Sequence, residues 1–218
     1  MVDHNDPRPL LTSAAGNDKI GGWVRKGKWR GMPIYLVTLE ERATCPSSCA
    51  NWETCYGNGM PFARRHHPGP AFEKQLEAAL AEKQHQHPRG FVVRLHQLGD
   101  FYSLDYVRLW ESWLARFPAM RCYGYTAWPK DTEIGGALWQ ISRTRWRRFA
   151  VRFSTGPQSQ GAHVIWHVPD DGRAAEGLVC PEQMGKTKSC GTCALCWAPA
   201  ARTKTIVFVG HGIRGRAA

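Results

Sequence analysis

From residue 34 onward the chain alternates two apolar patterns. Short runs rich in β-branched and aromatic residues, at 34–39, 91–98, 121–126, 149–154, 163–168 and 205–209, predict six buried strands. Between them, 71–84 sets Phe72, Leu76, Ala79 and Leu80 on one helical face, and 104–117 does the same with Val107, Trp110, Trp113, Leu114 and Phe117. A third helix is predicted over 131–143. Strand and helix in turn argue for an α/β fold built from parallel βα units with both sheet faces covered. A closed eight-fold barrel takes roughly 250 residues, so six strands in 218 predict a shorter, open barrel. An open doubly wound sheet is the competing topology. Residues 1–33, rich in Gly, Asn and Pro, read as an irregular basic N-terminal arm with Arg25, Lys26, Lys28 and Arg30.

Length and composition fit one core domain, residues 34–218, behind that arm. No apolar run approaches the roughly 18 residues that would span a bilayer, so no membrane partner is expected. The first residues lack the basic and apolar regions of a secretory leader, which predicts a cytoplasmic protein. A net charge of +11 favours an anionic partner such as nucleic acid, nucleotide or phosphorylated metabolite. Arg143, Arg145, Arg147 and Arg148 around Trp146 suit a phosphate backbone with a base stacked on the indole, and Arg64-Arg65-His66-His67 adds to that surface. A solvated helix end is the plainer reading of the same cations.

The eight cysteines narrow the chemistry further. In a reducing compartment, clustered thiols are more often metal ligands than disulfides. Cys45, Cys49 and Cys55 lie within eleven residues directly after the first predicted strand; Cys180, Cys190, Cys193 and Cys196 form a second group. Cys122, alone inside a strand, reads as a buried thiol. Four thiolates close an iron–sulfur cube, whereas three leave one iron open. Structural zinc remains the alternative, because its C-x2-4-C spacings overlap these and His66, His67 or His96 would complete the first set.

Three motifs carry a resemblance: T-C-P-x2-C-x5-C-Y at 44–56, R-L-H-x2-G-D-F at 94–101, and C-P followed by C-x2-C-x2-C-W at 180–197. Together they resemble radical S-adenosylmethionine (SAM) enzymes, and more closely a phage- and plasmid-borne iron–sulfur relative of that superfamily. The resemblance implies a partial (β/α)6 barrel with a cysteine-rich C-terminal segment at about 178–200. It implies two [4Fe-4S] clusters: an open one on Cys45, Cys49 and Cys55, whose free iron chelates SAM, and an auxiliary one on Cys180, Cys190, Cys193 and Cys196. Tyr56 would lie near the adenine, and Gly99-Asp100 would receive the SAM amino group. Reductive cleavage would give a 5′-deoxyadenosyl radical, with an electron donor such as flavodoxin or ferredoxin as partner. The usual spacing is C-x3-C-x2-C, whereas the second interval here is five residues, Ala50 to Thr54.

Other positions have functional and plain readings side by side. Arg94 and His96 share a strand face by period-two alternation, pointing to substrate or packing in the core. Tyr123, Tyr125 and Ser154 stand near strand ends, and Asp170-Asp171-Gly172 reads as a turn. The expected function is therefore a radical-SAM-type enzyme acting on an unknown substrate, with nucleic acid or nucleotide first in view. The alternative is a non-enzymatic zinc or iron–sulfur module that binds nucleic acid.

Overall fold

The computed structural model describes residues 8–156, 160–167 and 173–210. Val168, the end of one predicted strand, and the predicted turn at Asp170-Asp171-Gly172 lie outside them. Four parallel strands form the centre: β2 (Ile34–Leu36), β3 (Phe91–Leu95), β4 (Met120–Thr126) and β5 (Phe149–Phe153), side by side in chain order. A two-residue strand from the arm, β1 (Thr12–Ser13), caps the β2 edge in antiparallel register. A second, parallel sheet holds β6 (Ala162–Ile165), β7 (Leu178–Val179) and β8 (Ile206–Val209) in the order β6-β8-β7. A parallel bridge from Phe153 to Gly161 links the two sheets. The architecture is mixed α/β and rich in parallel strands, and no closed barrel is formed among the described residues.

The helices connect successive strands as the periodicity predicts: α2 (Pro70–Gln86), α3 (Leu104–Arg116) and α4 (Glu133–Arg145). Local chemistry starts each one. Pro70 opens α2, where its missing N–H costs nothing, while the Ser103 and Thr132 hydroxyls accept from the Tyr106 and Gly135 N–H groups at the heads of α3 and α4. None of the described helices is long and apolar enough to cross a membrane.

Strand alternation divides the core in two. Phe91, Val93 and Leu95 of β3, Cys122 of β4, and Phe149, Val151 and Phe153 of β5 face Leu76, Leu80, Trp110, Trp113, Leu138 and Ile141 from all three helices. The opposite face carries Ile34, Leu36, Val92, Tyr123 and Ala150, covered by Ile20, Val24 and Trp29 of the arm and by Ala194 and Trp197 of the cysteine segment. Chain-order strands with every long helix on one face distinguish this sheet from the doubly wound alternative. Both faces are covered, as predicted, but irregular chain covers the second.

The described part of the arm is thus a covering layer of the fold, although short 3-10 turns are its main regular structure. Trp29 stacks on Trp197 with ring centroids 5.4 Å apart. The chain beyond Lys19 bonds directly to α5 (Cys190–Cys193): Cys190 N–H donates to the Lys19 carbonyl at 2.7 Å, Gly191 N–H to Ile20 at 2.9 Å, and Arg25 N–H to the Gly191 carbonyl at 2.8 Å. Approach is so close that a Cβ on Gly191 would stand 2.3 Å from the Trp23 carbonyl oxygen, which explains glycine inside the Cys190–Cys193 step.

Candidate functional site

Parallel strands bring their C-terminal ends to one edge, and the loops leaving that edge carry the chemistry. After β2 the chain turns through one helical turn, α1 (Glu41–Thr44), straight into Cys45. Two arginines fasten the loop that follows. Arg65 makes a paired contact with Glu41 at 2.7 and 2.9 Å and reaches the carbonyls of Gly57, Met60 and Ala63. Arg42 bonds the Trp52 carbonyl and the Asn58 side chain and lies over the Trp52 ring. Burial alone would push the Glu41 carboxyl up, but the hydrogen bonds and charge of Arg65 outweigh it and hold the group below the usual carboxylate range.

Cys45, Cys49 and Cys55 are partly exposed on this loop and close enough to one another and to Asp100 to interact electrostatically. Burial, then the neighbouring acid and thiols, pushes Cys45 well up; burial raises Cys49. Tyr56 keeps an exposed ring beside them.

Gly99-Asp100 ends the segment after β3, as the sequence places it. Gly99 has φ +82°, and a Cβ there would lie 2.6 Å from both Leu39 Cβ and Thr44 Oγ1. Asp100 is 3% exposed and works as a clamp: its carboxylate accepts from Phe101 N–H at 2.8 Å and Ala127 N–H at 2.6 Å, while its own N–H donates to Thr44 Oγ1 at 3.1 Å. The ends of β3 and β4 and the approach to Cys45 are tied through this one residue. Burial raises its carboxyl to about 7, against the lowering effect of those bonds.

At the C-terminal group, Cys180 directly follows β7, and Cys190, Cys193 and Cys196 come from α5 and the turn after it. The αL residue Ala194 (φ 59°) makes that turn. All four cysteines line one mostly apolar cavity with Trp197 and Phe208. Tyr125, from the end of β4, donates its hydroxyl to Cys196 Sγ at 2.9 Å. Arg152 of β5 is 0% exposed and gives its guanidinium to the carbonyls of Cys196 and Lys204 at 2.8 Å and Ala201 at 2.9 Å. Burial raises Cys180, Cys190 and Cys196.

Arg94 stands between the two groups. Its guanidinium lies 4.8 Å from the Tyr125 ring and 5.5 Å from that of Tyr123, with Tyr56 and Cys190 among its electrostatic neighbours.

All eight cysteines are free, and Cys122 is buried inside β4. Among the described residues no three His, Cys, Asp or Glu side chains form a set that holds a single metal ion. The histidines considered as a fourth ligand are otherwise engaged: His66 packs on Phe72, His67 pairs with Glu40 at 3.1 Å, and His96 bonds the Tyr106 hydroxyl at 3.1 Å. His96 also departs from the predicted alternation. With φ 48° it leaves the strand and turns into the core, where burial and then Arg94 lower its imidazole to about 3. Trp146 is buried with Arg152 over its ring, so it offers no face to a base; Arg148, too, is held by the Phe117 and Met120 carbonyls. Ser154 bonds the Thr126 carbonyl at the end of the neighbouring strand. Arg152 shows in the sequence as a lone cation in the run Phe149–Phe153, whereas Glu41 and Arg42 carry no local signal because their partners lie ten or more residues away.

Residues 10–199 match the family model described as Gene product 88. The chain belongs to the Gene product 88 family. The matched span contains both cysteine groups, the arm from Leu10, and the Arg94–Asp100 segment; Ala201, Lys204 and Phe208, which border the C-terminal group, follow it. No curated protein and no solved structure matches the chain.

Proposed function

We propose that this Gene product 88 protein is a two-cluster iron–sulfur enzyme of radical-SAM type, with a partial barrel for its scaffold. The observation that carries the reading is the placement of three thiols on the loop leaving the first parallel strand, beside a buried carboxylate at the end of the next. The donor chemistry fits: burial raises the Cys45 and Cys49 thiols, and binding a metal would acidify them. At the second group, an O–H aimed at sulfur and a buried guanidinium with no carboxylate against it among the described residues suit an anionic metal–thiolate occupant.

Cys45, Cys49 and Cys55 would hold the open cluster, and Cys180, Cys190, Cys193 and Cys196 the other. With SAM bound, such a cluster supplies one-electron cleavage of the sulfonium and a carbon radical that abstracts hydrogen. Arg42 and Arg65 keep the first loop in place, the exposed Tyr56 ring offers a stacking face to adenine, and Asp100 fixes the floor. A single-electron donor such as flavodoxin or ferredoxin is the partner this chemistry requires. The net charge favours an anionic substrate, nucleotide or nucleic acid, met by exposed cations such as Arg145 and Arg147 rather than by Trp146.

Anaerobically prepared protein is expected to contain iron and acid-labile sulfide and, with dithionite and SAM, to form 5′-deoxyadenosine; Cys55→Ala should abolish the product. Stoichiometric zinc without sulfide overturns the reading in favour of a structural module. Iron without 5′-deoxyadenosine overturns the enzymatic half.

A further inference from the structure

We propose that the two cysteine groups hold their clusters at different reduction potentials, the C-terminal one higher, and that Tyr125 and Arg152 are the positioning residues that set the difference. The inference rests on the iron–sulfur reading above. Reducing a cluster adds one negative charge, so hydrogen bonds to its sulfurs and cations beside it favour the reduced form. In the protein interior these effects are stronger than in water.

The surroundings of the two groups differ in that respect. Cys196 Sγ receives the Tyr125 hydroxyl, and its carbonyl receives Arg152. Arg94 lies against Tyr125 on the other side, and Lys19 is an electrostatic neighbour of Cys180 and Cys190. Glu182 is the acid on that side, 3.9 Å from Lys19. Glu182 also lines the cavity and acts on Cys180, so among the described residues three cations, Arg152, Arg94 and Lys19, stand against one acid there. At the N-terminal group two acids meet two cations: Asp100 acts on Cys45 and Cys49 and Glu41 on Cys45, with Arg42 at Cys49 and Arg65, paired to Glu41, at Cys55. Exposure does not separate the groups, since every ligand candidate except buried Cys180 is partly exposed. Charge and hydrogen bonding therefore decide, and both favour an added electron at the C-terminal end.

The test is an anaerobic redox titration of the full chain, reconstituted with iron and sulfide and followed by electron paramagnetic resonance. Wild-type protein should reduce in two steps, and a Cys45→Ala/Cys49→Ala/Cys55→Ala variant should retain the higher one. Tyr125→Phe removes one hydroxyl without touching the Arg152 anchor. It should lower the higher step, cutting the reduced-to-oxidised ratio at a fixed poise by roughly three- to tenfold, with iron content and the lower step unchanged. An unmoved higher step in Tyr125→Phe, or retention of the lower step in the triple variant, overturns the proposal. A triple variant that takes up no iron overturns the metal assignment of the C-terminal group itself, and this inference with it.

Discussion

The two cysteine regions are held to the core by opposite means. The N-terminal loop is held from outside, by arginines that bond its carbonyls and a paired carboxylate, and it leaves Tyr56 and Phe62 exposed. The C-terminal segment is held from inside: Trp197 packs on Trp29 and Tyr123, and Arg152 grips its backbone. One region is fastened to the core, while the other is part of it. Changes in the second should therefore unfold the protein, and changes in the first should alter a loop.

The largest expected effect follows from Trp197→Ala, which empties a site between two aromatic rings. Urea unfolding should show a loss of about 3–5 kcal/mol. A loss below about 1 kcal/mol would mean that the C-terminal segment is as peripheral as the N-terminal loop.

Glu41→Gln sharpens the comparison at an intermediate level. The folded Glu41 carboxyl lies below its unfolded value of about 4.3, so its contribution is fully present above that pH and is lost as pH falls through the folded value. Unfolding measured from pH 7 down to 3 should show the variant weaker by about 1–2 kcal/mol at neutral pH, with the gap closing in acid. A gap that widens in acid would reverse the assigned sign.

Phe62→Ser should do least. The ring is 98% exposed, so thermal unfolding should stay within about 0.5 kcal/mol of wild type. A larger loss would show that this loop has an inside face after all.

Periodic patterns carried most of the fold. The runs around 91–95 and 149–153 and the spacing from Val107 to Trp113 state their neighbours locally, because each depends only on which face is apolar. The singly wound sheet was not legible, since what covers its second face is irregular chain without a period. Trp29 belongs to that cover, yet its partner Trp197 lies far along the chain. At the site, the cysteine spacing marked both groups and Gly99-Asp100 marked the clamp. The left-handed turn at His96 and the burial of Trp146 were hidden because both depend on tertiary packing, as does the service of Arg152 to four carbonyls. The family match, residues 10–199, includes both cysteine groups and the arm that packs on the second.

The backbone bonds between residues 19–25 and 190–191 also constrain how the molecule is made. During synthesis at about 5–20 residues per second, the early half of that junction leaves the ribosome on the order of ten to thirty seconds before its mate exists. In that interval Trp29 and Val24 have no lid, and the nascent chain shows a sticky inner surface to its surroundings. Slow translation or a stall before Cys190 thus lengthens the time for which those side chains stay uncovered.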